Sequence, residues 1–271
     1  STTQVLRRAE DFRQAVSDYA ARVASCGCLY VEAIVSPAER VRRGVPYEVL
    51  FEGCCDGIVE AREAHGVEVR LTPDITRDFP VEEGEEVARQ AVRYRERGVV
   101  GIGLGGAEHR FPPGPFSRAF AIAREGGLGS VPHAGEVAGP ASIRAALEAL
   151  RADRIRHGVR AVEDRGLLRE LAARGTVLDV ALTSNVLTGV APSLVKHPLP
   201  ALLDAGVRCS ISTDDPCLMG TDLEYECAAA ESLGARPRAF FAAALEGALC
   251  DESTKARLRA AADACDWTTD E

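Results

Sequence analysis

Apolar and polar positions along this chain switch repeatedly between two periods. Phe12, Val16, Tyr19, Ala20 and Val23 fall at helical spacing and predict a helix over most of 1–25, stopped by Gly27. The β-rich run Cys28-Leu29-Tyr30-Val31-Glu32-Ala33-Ile34-Val35 follows and ends at Ser36-Pro37. Tyr47, Leu50, Phe51, Cys54, Ile58 and Ala61 return to helical spacing over 47–64, broken at His65-Gly66. Further strands are predicted over 67–72, 99–104, 128–132, 154–156, 176–182 and 207–212. Helices are predicted over 82–96, 115–125, 140–150, 162–174 and 198–205. Residues 221–262 are rich in Ala, Glu, Leu and Arg and read as helical, and 267–271 as a frayed tail.

Strict β-α alternation with short turns argues for a parallel sheet covered by helices. Gly103-Leu104-Gly105-Gly106 lacks the spacing of a dinucleotide fingerprint and runs into the loop Phe111-Pro112-Pro113-Gly114, which disfavours a doubly wound nucleotide fold. The expectation is an α/β protein, a (βα)8 TIM-type barrel forming one domain over 1–271, with its chemistry on the C-terminal strand ends. The pattern yields seven strands and opens on a helix, so the expected first strand lies ahead of Ser1.

Composition narrows the function classes. Aromatics make up only 5% of the 271 residues, so Ala, Leu and Val must fill the core. The formal net charge is -9 and arginines are interleaved with Glu and Asp, which argues against a nucleic-acid partner. No apolar run reaches membrane-span length and the N-terminus is not a signal peptide. The nine cysteines form no Cys-x-x-Cys pair, and several lie in apolar runs as small hydrophobes. A reducing, cytoplasmic location is expected.

The residues just after the strands are not random. They are Gly105-Gly106, His133 with Glu136, His157, Thr183-Ser184-Asn185 and Asp214-Asp215. His65, His109 and His197 lie in breaks, loops and turns, where surface or capping roles are expected. His133 and Asp214 are ligand types that borderline metals such as Zn2+ accept. Glu136 could hold a proton if partly desolvated, and His157 could orient or deprotonate a water at the metal. Asp214 and Asp215 would repel each other unless neutralised; the other reading of Asp214-Asp215-Pro216 is a turn with helix-capping carboxylates.

Four of these segments come as an ordered set: His133-Ala134-Gly135-Glu136, Arg154-Ile155-Arg156-His157-Gly158, Leu182-Thr183-Ser184-Asn185 and Ser212-Thr213-Asp214-Asp215-Pro216. The set resembles the adenosine deaminase family of the metal-dependent amidohydrolase superfamily, whose members are (βα)8 barrels. The likeness extends from about Glu10, through Tyr30-Val31-Glu32-Ala33, to the C-terminal helices. It implies that His133 and Asp214 are zinc ligands and that Glu136 exchanges a proton with purine N1 as hydroxide adds to C6. It further implies that His157 activates and orients the water, that Asp215 holds the ring through N7, and that Gly106 offers backbone to N3. The products would be a 6-oxopurine nucleoside and ammonia.

Within the family, Ala38-Glu39-Arg40-Val41-Arg42-Arg43-Gly44, Gly103-Leu104-Gly105-Gly106, Ile155-Arg156-His157 and Met219-Gly220-Thr221-Asp222-Leu223 look most like the aminodeoxyfutalosine deaminases of actinobacterial menaquinone synthesis. That substrate resembles adenosine with a carboxyphenyl-ketone extension, and Arg110 or Arg156 is a candidate to meet its carboxylate. Three departures stand out. The family's His-x-His pair is absent from the chain, so two further zinc ligands are expected from the strand ahead of Ser1. Ala107 stands where an acidic residue is frequent, and Ala181-Leu182 where Cys-Pro is usual.

The expected partner is a small-molecule nucleoside, with no nucleic acid and no membrane, and homo-oligomerisation is left open. Adenosine or deoxyadenosine is the alternative substrate. The non-enzymatic alternative is a metal-free barrel that binds nucleosides, or pairs with another subunit, without turnover.

Overall fold

The computed structural model describes residues 5–267. All seven expected strands are there, but two of them resume after a break, beyond their expected ends at Thr72 and Pro132, giving nine short ones: β1 Tyr30–Ala33, β2 Glu68–Leu71, β3 Asp74–Thr76, β4 Gly101–Gly105, β5 Gly129–Ser130, β6 His133–Ala134, β7 Arg154–His157, β8 Val177–Val180 and β9 Arg208–Ile211. The interruptions fall at Pro73, between β2 and β3, and at Pro132, between β5 and β6. Proline has no amide proton to give a ladder. Both prolines still accept through their carbonyls, from Gly103 N and Arg156 N at 2.9 and 3.0 Å. Every strand pairing is parallel, in the sets β1-β2, β3-β4-β5 and β6-β7-β8-β9. This is the α/β class that the alternation predicts.

The chain divides into two compact units. The first comprises the residues up to Ala107 together with Pro115–Ser130, and the second Glu108–Gly114 together with the residues from Val131 onward. In the first, helices Ala9–Ser25 and Tyr47–His65 pack against each other. Their backbones approach closely at Gly53, where a Cβ would fall 2.2 Å from the Ala9 carbonyl oxygen. Phe51 stacks on Tyr94 with ring centroids 4.8 Å apart, and Leu71, Ile102 and Leu104 are fully buried around it in the same unit's core.

In the second unit β6–β9 are covered by helices that include Pro140–Ala149, Arg165–Arg174, Leu199–Asp204 and Pro237–Gly247. Ile143, Ile155, Leu171, Leu178 and Leu202 form its core at zero exposure. Helix Arg165–Arg174 begins where it does because the Asp164 carboxylate accepts from the amides of Gly166 and Leu167. Arg154 donates to Asp179 at 2.6 Å and to the Gly247 carbonyl at 2.5 Å, tying β7 to β8 and to the end of helix Pro237–Gly247.

The helical expectation for 221–262 holds, as three helices, Leu223–Ser232, Pro237–Gly247 and Glu252–Asp263. Two sequence expectations need correction. The sixth strand stops at Val180, and Leu182–Leu187 is a helix rather than a strand tip. Trp267 is not frayed: its indole donates to the Ala262 carbonyl at 2.8 Å and packs on Phe241, 5.9 Å between centroids. The remainder of that expected tail, 268–271, lies outside the described residues. Among the described residues no helix is long and apolar enough to cross a membrane.

Candidate active site

The second unit carries the candidate site at the ends of its strands. β6 and β7 pair in the register His133↔Arg156 and Ala134↔His157, which places the two histidines side by side with ring centroids 5.4 Å apart. Asp214 follows β9. His157 Nε2 lies 3.7 Å from Glu136 Oε2 and 3.8 Å from Asp214 Oδ2. His133, Glu136, His157 and Asp214 are thus brought into one group. The His157 side chain is 4% exposed, while Glu136 and Asp214 reach solvent at 19% and 24%.

The backbone beneath this group is strained. His157 has φ 61° and Asp214 φ 55°, two of three non-glycine residues in the left-handed region among the described residues. Such conformations cost energy for a residue with a Cβ and persist where surrounding structure imposes them. Here they turn each side chain at the point where its strand ends.

A buried relay fixes the proton on His157. The backbone amide of Leu199 donates to His197 Nδ1 at 3.0 Å, so the His197 proton must sit on Nε2. That nitrogen faces Asn185 Oδ1 at 3.1 Å, leaving the Asn185 amide group to donate to His157 Nδ1, also at 3.1 Å. The reverse orientation of Asn185 would require His197 to accept on both ring nitrogens, which a neutral imidazole cannot do. His157 therefore carries its proton on Nε2, the nitrogen that faces Glu136 and Asp214. Burial pushes His197 down to about 4, with the neighbouring His157 acting in the same direction, so the ring is neutral as the relay requires. Of the surface or capping role expected for His197, the capping half holds, since it accepts from the first amide of helix Leu199–Asp204, and the surface half is corrected: the residue is 4% exposed and a partner of the site.

Two buried carboxylates hold the loops that present these residues. Glu108, 5% exposed, accepts from the amides of Gly135, Glu136, Val137 and Ala138 at 2.6 to 3.1 Å and from Ser142 Oγ at 2.6 Å. Within that loop Gly135 has φ 68°, and a Cβ there would fall 2.3 Å from Ile143 Cδ1, so any side chain would strain the backbone and push Ile143 aside. Glu226, with no exposure, accepts from Leu182 N, Thr183 N and Thr221 Oγ1. It thereby anchors the start of the helix bearing Ser184, which donates to Asp214 Oδ2 at 2.6 Å, and Asn185. Nothing in the sequence signals Glu108 and Glu226, or the place of His197 in the site, because none of the three sits at a strand end or in a motif of chemical character.

Asp215 is exposed and caps helix Pro216–Met219 through the Leu218 amide at 3.1 Å. The capping alternative for Asp214-Asp215-Pro216 thus describes Asp215, while Asp214 joins the group around His157. Gly106 belongs to the first unit, after β4, with φ 99°. There it lines a cavity of about 360 Å³ with Arg43, Thr76, Asp78 and Phe79, and the next residue, Ala107, donates its amide to Asp78 at 2.9 Å. Arg156 is buried in β7, and Arg110 is exposed over the Phe111 ring.

Among the described residues no group of three or more His, Cys, Asp or Glu side chains is placed to hold a metal ion. His133 and Asp214, both beside His157, are a nitrogen and an oxygen donor of the kind zinc takes. They fit as two ligands of a tetrahedral set that needs more.

A family model described as adenosine deaminase matches residues 1–265. The chain is 47% identical, over 99% of its length and 77% of the relative's, to an aminodeoxyfutalosine deaminase of Acidothermus cellulolyticus. It is 41% identical, over 95% of its length and 81% of the relative's, to an adenine deaminase of Rhizobium leguminosarum bv. trifolii. A crystal structure of an amidohydrolase from Burkholderia ambifaria with bound Zn superposes with a TM-score of 0.89 at 28% identity, covering 94% of this chain and 73% of that one.

Proposed function

The chain belongs to the adenosine deaminase family, and from that premise we propose that it deaminates 6-amino-6-deoxyfutalosine in menaquinone biosynthesis, with zinc bound through His133 and Asp214. The coarser activity needs no proposal: the protein is a hydrolase of C–N bonds, acting in deamination of the adenine-nucleoside type. The observation that supports the site is the convergence of Glu136 and Asp214 on His157 Nε2. The likeness to the aminodeoxyfutalosine deaminase supports the substrate.

When bound, zinc would supply the Lewis acidity that makes a water nucleophilic at neutral pH. The protein's own residues do the rest. His157 presents Nε2–H, held there by Asn185, toward both carboxylates, at 3.7 and 3.8 Å from their nearer oxygens. In that tautomer the ring donates to the attacking oxygen and orients it; of its two candidate roles, orientation is the one the relay supports. Glu136 delivers a proton to N1 as oxygen adds to C6, so the ring nitrogen accommodates the electron pair. The proton left on the added hydroxyl passes to the amino group as the C6–N bond breaks, so ammonia leaves, the 6-oxopurine is restored, and Glu136 regains its proton from the next water. Asp215 would hold N7.

A second substrate class has its own support, since the next relatives are adenine deaminases at 41% and 39% identity. Turnover of 6-amino-6-deoxyfutalosine, adenosine and free adenine by the full-length, metal-analysed protein decides between them. The nucleoside with the carboxyphenyl extension should lead in kcat/KM by on the order of 100-fold. Preference for adenine or adenosine overturns the substrate, and turnover of none overturns the whole reading.

A further inference from the structure

Glu108 is a buried carboxylate whose five donors leave neither oxygen idle. Oε1 takes Gly135 N and Ser142 Oγ, both at 2.6 Å, and Oε2 takes the amides of Glu136, Val137 and Ala138 at 3.1, 2.8 and 2.9 Å. The four amides are consecutive, and they bracket Glu136. Residues 135–138 belong to no strand or helix, lying between β6 and the helix that starts at Pro140, so no ladder or helical turn would otherwise satisfy them. Successive amides converging on one anion form the kind of concavity that usually holds a bound phosphate or carboxylate ligand. Here the protein fills it with its own side chain.

We propose that Glu108 is the positioning residue for Glu136: its carboxylate gathers the amides of 135–138 into a single turn and so sets the point at which Glu136 presents its carboxyl group. The inference rests on the deaminase reading, in which Glu136 is the proton donor. It assigns the precision of that step to a residue outside every motif that carries the family resemblance. Glu136 Oε2 is 3.7 Å from His157 Nε2, and Gly135 is pinned against Ile143. Arg160 holds the carbonyl side of the same loop, its amide donating to Gly135 O at 2.9 Å and its guanidinium to Val137 O, while Glu108 is the group that takes the Glu136 amide itself. Its charge is taken up by amide dipoles and a hydroxyl, which lets a second carboxylate stand on the same loop.

Glu108→Gln in the full-length protein is the sharp test. The shape is kept, but one oxygen becomes an NH2 group facing N–H donors, and neither orientation of the amide can satisfy both sets. We expect kcat to fall by about 10- to 100-fold with KM changed less than about threefold, while the amides of 135–138 exchange hydrogen faster and those of β7–β9 do not. In a Glu136→Gln background the same change should cost little more, because a residue acting through Glu136 has nothing left to position. Unchanged kcat, or an equal loss in both backgrounds, overturns the proposal and leaves Glu108 a stability element. Should Glu108→Gln not fold, Ser142→Ala removes one of the five bonds and should cost a few-fold in kcat only when Glu136 is present; an equal cost in both backgrounds again overturns it. If Glu136→Gln itself turns over like the parent, the deaminase role of Glu136 fails first and this inference with it.

Discussion

His197 has no part to play unless its ring is neutral, since protonation of Nδ1 would set it against the Leu199 amide that now donates to it. Its depressed value of about 4, against an ordinary 6.5, makes this a stability statement. Between those values the unfolded chain binds a proton that the folded chain refuses, so stability is whole above about pH 6.5 and falls as pH drops toward 4. A shift of that size corresponds to at most about 3 kcal/mol. Urea unfolding of the parent and of His197→Gln across pH 4 to 7 should show this acid-side loss in the parent and a flatter curve in the variant. Parallel curves would mean that His197 is not held neutral. Reading strand ends recovers His133, Glu136, His157 and Asp214 because each lies within a few residues of the end of a strand that periodicity predicts. His197, before Pro198 in a polar stretch, carries the same local signal as a surface turn, and only the fold brings it to Asn185.

At the level of elements, short carboxylate clamps replace regular hydrogen bonding where the strands hand over to loops. Helix Leu182–Leu187 is barely two turns long, too short to hold its own direction, yet it carries Ser184 and Asn185. Glu226, on the neighbouring helix Leu223–Ser232, accepts from its first amides at 2.9 and 3.3 Å. Glu226→Gln sets an NH2 group against those donors at a site with no exposure, which should cost about 1–3 kcal/mol. Thermal melting checks it: a drop of several degrees is expected, and an unchanged midpoint would mean that the helix start is held by something else. Element types were legible from periodicity, but the breaks in them were legible only in part. Pro73 and Pro132 stand in plain view and the expected strands end at Thr72 and Pro132; that pairing resumes at Asp74 and His133 has no signal in the apolar pattern. Leu182 was read into the preceding strand because an apolar residue after Val180 and Ala181 looks the same whether the chain continues extended or begins a helical turn.

Across the whole molecule, the sequence showed how many cysteines there are and that apolar runs hold several of them, but not which reach solvent. Periodicity reports the faces of single elements; it does not report which elements share a core, and the division into two compact units had no signal in it for the same reason. In the structure all nine cysteines are free thiols, with Cys54, Cys55 and Cys209 buried and Cys217 and Cys265 exposed. Burial pushes the three buried thiols up to about 12. Reaction requires both access and thiolate, and these three lack both: two sit in the core of helix Tyr47–His65 and one in β9. Brief alkylation of the native protein at pH 8, read by peptide mass spectrometry, should label Cys217 and Cys265 and spare Cys54, Cys55 and Cys209, whereas denaturant should open all nine. Labelling of Cys209 at the rate of Cys217 would show β9 opening under native conditions. The strand that leads to Asp214 would then not be the fixed support on which the site depends.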